Sequence, residues 1–100
     1  MSDSDSVLSW LQGWYAEQCD GDWEHEWGVK IETLDNPGWT ITIDLDGTSL
    51  EEREYPEQTI RRGPHDWIFA RVADRQFDGA CSPRNLTEFL TMFRSWAEER

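Results

Sequence analysis

Residues 19–28, "CDGDWEHEWG", gather Cys19, Asp20, Asp22, Glu24, His25 and Glu26 around Trp23 and Trp27, a density of ligand-type side chains that could hold a metal or move a proton. Zinc sites are built from spaced pairs such as Cys-x-x-Cys or His-Glu-x-x-His, and neither spacing occurs here. If residues 24–27 lead into a strand, Glu24 and Glu26 share one side and His25 faces the other, so the three do not converge. The sequence therefore predicts no metal and no cofactor. Proton transfer by Glu24, Glu26 and Asp22, with His25 or His65 as shuttle, would need a pocket that shifts a pKa. Carboxylates at a strand edge of an acidic protein are ordinarily solvated; His25 then reads as a polar residue at a strand start and His65 as a loop residue. Cys81, in "ACSPRN", stands just before the last helical segment, where a helix amino terminus could stabilise a thiolate. Pro83 removes one backbone donor from that cradle, and a small buried cysteine is the simpler reading. No catalytic residue is predicted. The alternative is a small enzyme, either a sulfurtransferase-like thiol at Cys81 or a carboxylate/His hydrolase at Glu24, His25 and Glu26.

Charge separates the remaining function classes. Asp and Glu number 21 against nine Lys and Arg, a formal net charge of -12, which repels nucleic acid and anionic membranes. Acid on this scale either keeps a small protein soluble or steers it towards a cationic partner at some cost in self-repulsion. Seven tryptophans in 100 residues add large apolar bodies with one donor each, the anchors that protein interfaces favour. Trp14, Trp27, Trp39 and Trp96 fall on apolar stripes and read as core, while Trp10, Trp23 and Trp67 are less clearly inward. For a basic partner the first candidate contacts are Asp20, Asp22, Trp23, Glu24 and Glu26, and the second Glu32, Asp44, Asp46, Asp66 and Trp67. A homodimer joined through Trp67 and Phe69 is a third class, and the oligomeric state stays open.

The elements that would position these groups follow from periodicity. One hundred residues make one domain, 1–100, since a chain of this length buries only roughly 60 to 70% of its unfolded surface. "MSDSDS" is acidic where an export signal is basic, no run is long enough to span a membrane, and two cysteines form no disulfide framework, so the chain reads as cytoplasmic. Val7, Leu8, Leu11, Trp14, Tyr15 and Gln18 mark a helix over about residues 5–19, capped by Ser4 or Asp5, with Gly21 as a left-handed stop. "WGVKIETL" alternates Trp27, Val29, Ile31 and Thr33 inward, and "NPGW" predicts a type II turn into "WTITIDL" with Trp39, Ile41, Ile43 and Leu45 inward. "TSLEEREYPEQ" predicts a loop, and residues 58–62 a weakly marked strand. "DWIFARVADRQFDGAC" predicts a hairpin with Asp74 and Arg75 at its tip, Val72 beside Phe77 and Arg71 beside Asp78. That register leaves Trp67, Phe69 and Arg71 opposite Ile68, Ala70 and Val72, so the strand is apolar on both sides. Asn85 and Glu88 suggest a capping box before Leu86, Phe89, Leu90, Phe93 and Trp96. The sum is an α+β fold of two layers: an antiparallel meander of four to five strands with the amino- and carboxy-terminal helices on one face.

The stretch "WYAEQCDGDWEHEWGVKIETLDNPGW", residues 14–39, resembles the signature region of immunity protein family 53 of bacterial polymorphic toxin systems. "DGTSLEE", "HDWIFARVADRQFDGACSPRNL" and the terminal helix are similar to the same family in order and spacing. Asp22, Trp23, Glu24, His25, Asp35, Asn36, Pro37, Gly38 and Trp39 are the positions that match its motifs. The resemblance implies a small cytosolic α+β protein that binds and neutralises a cognate toxin encoded beside it. Where similar chains often read "GGP", this one has Cys81-Ser82-Pro83, which weakens the case for a thiol enzyme. Toxins that cut nucleic acid are basic, so an acidic blocker points to a nuclease as the toxin, bound one-to-one through the acidic surface.

Overall fold

The computed structural model describes residues 6–99. Ser4 and Asp5, the expected helix caps, lie outside the described residues, and the observed cap is Ser6, whose hydroxyl accepts from the Ser9 N–H at 3.1 Å. The helix it starts, α1 (Val7–Gln18), is followed by a single helical turn, α2 (Trp23–Glu26), then strands β1 (Val29–Leu34), β2 (Gly38–Asp44), β3 (Gln58–Gly63), β4 (Asp66–Ala73), β5 (Gln76–Cys81) and helix α3 (Leu86–Ala97).

The strands form one antiparallel sheet in the order β1-β2-β5-β4-β3. The expected α+β class and both hairpins are present, Val72 facing Phe77 and Arg71 facing Asp78. The sheet is not one sequential meander. A β1–β2 hairpin meets a β3–β4–β5 meander along β2 and β5, because the connection 45–57 carries the chain to the far edge. That connection is not slack: Leu45 and Leu50 are buried, and Tyr55 packs on Phe77 and Trp96. Arg53 donates to the Trp96 carbonyl at 2.6 Å and the Trp96 indole to the Glu54 carbonyl at 3.0 Å, so the buried polar groups at this end are satisfied.

Period-two alternation decides which residues face inward. Ile41, Ile43, Ile68, Ala70, Phe77 and Cys81 project from one side of the sheet and are 0–1% exposed. Helix α3 covers them with Phe89, Leu90, Phe93 and Trp96, and α1 leans on α3, with Trp10 and Trp14 edge-on to Phe93 at 5.7 and 5.1 Å. Both terminal helices thus lie on the same side, and edge-to-face aromatic pairs knit that core. Among the described residues no helix is long and apolar enough to cross a membrane.

Three local expectations change. The Asn36–Pro37 bond is cis and Gly38 belongs to β2, so the tight connection is not the type II turn that Pro-Gly suggested; a cis proline belongs to the type VI class. Trp27 lies before β1, not in it, and is 37% exposed. Asn85 occupies the cap position of α3 without a side-chain cap bond. Its amide donates instead to Asp66 and Glu88 and its carbonyl oxygen accepts from the Ser82 hydroxyl; Ser82 and Glu88 are local, and Asp66 meets it only once the β3–β4 turn has docked.

Candidate functional site

The acidic stretch after α1 is organised by its own backbone. One Asp20 carboxylate oxygen accepts from the N–H groups of Asp22 and Trp23, both at 3.0 Å. These bonds, that from Trp23 first, hold its pKa below the usual carboxylate range. The Glu24 carboxylate accepts from the N–H groups of Asp20 and Gly21 at 2.9 to 3.2 Å, and Gly21 has φ +98, where glycine is favoured. Two carboxylates therefore close the turn, and residues 23–26 make a helical turn in place of the expected strand start. Trp23 is the reason that this turn is fixed. It is buried, edge-on to Trp14 and Tyr15, and its indole N–H donates to the Asp46 carbonyl at 2.6 Å.

The ten predicted contact residues consequently fall into different places. Asp20, Asp22, Trp23, Glu24 and Glu26 are close in the chain, but Trp23 faces the interior, and one oxygen of Asp20 and both of Glu24 are taken by backbone N–H groups. Asp22 and Glu26 are exposed and make no side-chain hydrogen bond or ion pair among the described residues. Asp46 sits beneath Trp23 and faces Arg75 at 3.4 Å. Asp44 accepts from the Gly28 N–H and the Gln76 amide at 3.0 and 2.9 Å. Glu32, on the edge strand β1, is exposed on the sheet side away from the helices, opposite Thr40. Asp66 and Trp67 begin β4, at the other end of the sheet.

Sequence reasoning missed three exposed large apolar residues, two of them aromatics of the same region and one in the first turn of α1. Leu8 is 55%, Tyr15 39% and Trp27 37% exposed. The signal was present in α1, where Leu11, Trp14 and Gln18 suffice for an inward stripe at i, i+3 and i+7, leaving Leu8 and Tyr15 to the outer flank. Exposed anchors beside Asp22 and Glu26 are thus Tyr15 and Trp27, and not Trp23.

The thiol and metal alternatives meet physical obstacles. Cys81 is 0% exposed, and burial, with Glu88 nearby, pushes its pKa up to about 11, so near neutrality it is a protonated core thiol. His65 is an exposed turn residue and His25 an exposed residue of α2. Among the described residues no three His, Cys, Asp or Glu side chains converge as a metal site would require.

The far end of the sheet presents a different chemistry. A cleft of about 690 Å³ opens at the β3–β4 turn, lined by Arg61, Arg62, Gly63, Pro64 and Trp67. Arg62 is held between Asp66 and Glu88, at 2.8 and 2.6 Å, which keeps both carboxyls below their usual range, Arg62 being the first cause for each. The pairing raises the Arg62 pKa in turn.

A family model described as Immunity protein 53 matches residues 8–98, and the chain belongs to that family. Membership gives it an immunity function against a toxin, with a protein toxin as its partner. No curated protein and no solved structure matches the chain.

Proposed function

From membership of the Immunity protein 53 family, we propose that this chain silences its toxin by forming a one-to-one complex in the cytoplasm, through the acidic connection between α1 and β1. It does so without chemistry of its own and without metal or cofactor. The observation that carries the reading is the juxtaposition of exposed carboxylates without a partner among the described residues, Asp22 and Glu26, with the exposed rings of Tyr15 and Trp27 in a chain of net charge -12. Lysine and arginine side chains fit such a surface twice over, by charge and by cation–π contact. A toxin that acts on nucleic acid must carry such a basic surface to bind phosphate, so a nuclease is the toxin class proposed. The acidic surface then occupies the place of the phosphate backbone and associates quickly at low salt.

The test uses Asp22→Lys combined with Glu26→Lys, because Glu24, the obvious alternative, holds the turn and its loss would confound binding with folding. With the catalytically inactive toxin domain encoded beside this chain, the double variant is expected to associate about tenfold more slowly at low salt and with a flatter salt dependence. Its far-ultraviolet circular dichroism should match wild type. Equal association and equal protection of cells by the double variant refute the surface assignment. Cys81→Ser should protect fully; loss of protection in a folded Cys81→Ser chain would revive thiol chemistry.

A further inference from the structure

We propose that the cleft at the β3–β4 turn is a second seat for the toxin, of opposite charge to the first, taking a carboxylate carried on an extended segment next to an apolar side chain. The inference rests on the reading above that a protein toxin is the partner.

In a chain with more than twice as many acids as bases, an exposed arginine without a carboxylate is available to a partner. Arg62, Arg71, Arg75 and Arg94 each have one within 4 Å. Arg53, Arg61 and Arg84 have none among the described residues; Arg53 donates to the Trp96 carbonyl and Arg84 is an exposed turn residue before α3, whereas exposed Arg61 lines the cleft beside Arg62, which holds both Asp66 and Glu88. The local acids are thus consumed by the neighbour, and the Arg61 guanidinium keeps its charge and its donors. Trp67 stands directly across from Arg61 in the β3–β4 register. Among the described residues the indole N–H groups of Trp23, Trp39 and Trp96 each donate to a carbonyl; those of Trp10, Trp14, Trp27 and half-buried Trp67 have no such acceptor, and of these Trp67 is the one that lines this cleft. A guanidinium with no carboxylate and an indole N–H with no acceptor among the described residues, standing on paired residues of one cleft, can share a single acceptor from a partner, and a carboxylate matches both.

The backbone is shaped for this. The register slips between Arg61 and Gly63, and such bulges re-aim side chains at strand ends. Trp67 lies over Gly38, 3.6 Å from where a Cβ there would be, so its ring is held as a wall. Strand β3 is an edge of the sheet and leaves a row of backbone groups for an extended segment to pair with. Physically, a cationic notch supplies what an acidic surface lacks. Acid alone attracts any basic protein, while a notch that demands a carboxylate at a set distance penalises partners without one.

The experiment is a nitrogen-15 titration of the full chain, following the Trp67 indole N–H, assigned with Trp67→Phe. The probes are acetyl-Gly-Asp-Leu-Asp-Gly-amide, its lysine counterpart and a uridine trinucleotide. The acidic peptide should move the Trp67 signal, with affinity reduced at least about tenfold in Arg61→Glu, and the other two probes should not. An unmoved signal, or a larger response to the trinucleotide, overturns the inference. In calorimetry with the inactive toxin domain, Arg61→Glu should bind at least about tenfold more weakly; binding equal to wild type overturns it as well. If wild type itself fails to bind that domain, the function proposed above falls, and the peptide titration still decides the chemistry of the cleft.

Discussion

The two faces of the sheet are built from similar residue types and meet different surroundings. On the helix side, Ile41, Ile43, Ile68, Phe77 and Cys81 are sealed by α3, and the aromatic rings of Trp10, Trp14, Phe93, Trp96 and Tyr55 meet one another or Phe77 at 4.9 to 6.2 Å. On the other side, Trp67 and Phe69 remain half-buried with no element among the described residues above them, among threonines and the Arg71–Asp78 pair. Arg71 folds over the Phe69 ring at 5.9 Å, so part of the aromatic surface is covered by a cation that keeps its head in water. Charge divides the same way. Lys30, Arg61 and Arg71 balance Glu32, Asp44 and Asp78 on the bare face by strand alternation, while the acids of the α1–β1 connection have no such counterweight. The lesson is that apolar residues declare a strand, and only the neighbouring layer declares which of its sides is core.

The largest effect expected from this contrast is on stability. Phe93→Ala should cost about 3 to 5 kcal/mol, since Phe93 is 0% exposed and touches four rings, whereas Phe69→Ala on the bare face should cost under about 1 kcal/mol. Urea unfolding of the two variants measures this directly, and equal losses would mean that the bare face is covered after all. A middle-sized effect separates two glycines. A Cβ on Gly38 would lie 2.5 Å from the Cys81 carbonyl oxygen, whereas one on Gly13 in α1 meets nothing within 4 Å. Gly38→Ala should therefore destabilise by roughly 1 to 3 kcal/mol, and Gly13→Ala should stabilise by up to about 1 kcal/mol. Thermal melts that rank them the other way would show that Gly38 does not approach the Cys81 carbonyl as described.

The smallest effect concerns pH. Asp66 and Glu88 have pKa values depressed by Arg62, so their contribution is present above the ordinary carboxylate range and is lost as pH falls through the depressed values. Arg62→Gln should lower the melting temperature at pH 7 by a small margin, because exposed pairs contribute little, and the gap should close below roughly pH 4. A gap that persists or widens in acid would remove the electrostatic account of how the β3–β4 turn is tied to α3.

Local signals carried much of this fold. Alternation placed β1, β2 and β4, the tip residues Asp74 and Arg75 placed the β4–β5 turn, and both adopt positive φ there. The failures share one cause. Trp27 continued the alternating pattern of β1, yet Glu24 and Asp20 bind backbone N–H groups and turn the chain into α2 before the strand begins. Trp23 looked like a surface anchor because nothing near it in sequence covers it; Trp14 and Asp46, from two other segments, do. Asn85 had the spacing of a cap, and lost that role to Asp66, which the β3–β4 turn delivers.

By itself the sequence determined the periods of the strands and terminal helices, the acidity, and the family whose motifs the chain bears, because each of these is a property of neighbouring residues or of a sum over all of them. The tertiary structure alone decided the strand order, which carboxylates are spent on backbone N–H groups, which tryptophans face water, and that Arg61 stands across from Trp67 with no carboxylate partner among the described residues. Those depend on contacts between segments far apart in the chain, where burial and hydrogen-bond competition, and not local preference, set the outcome.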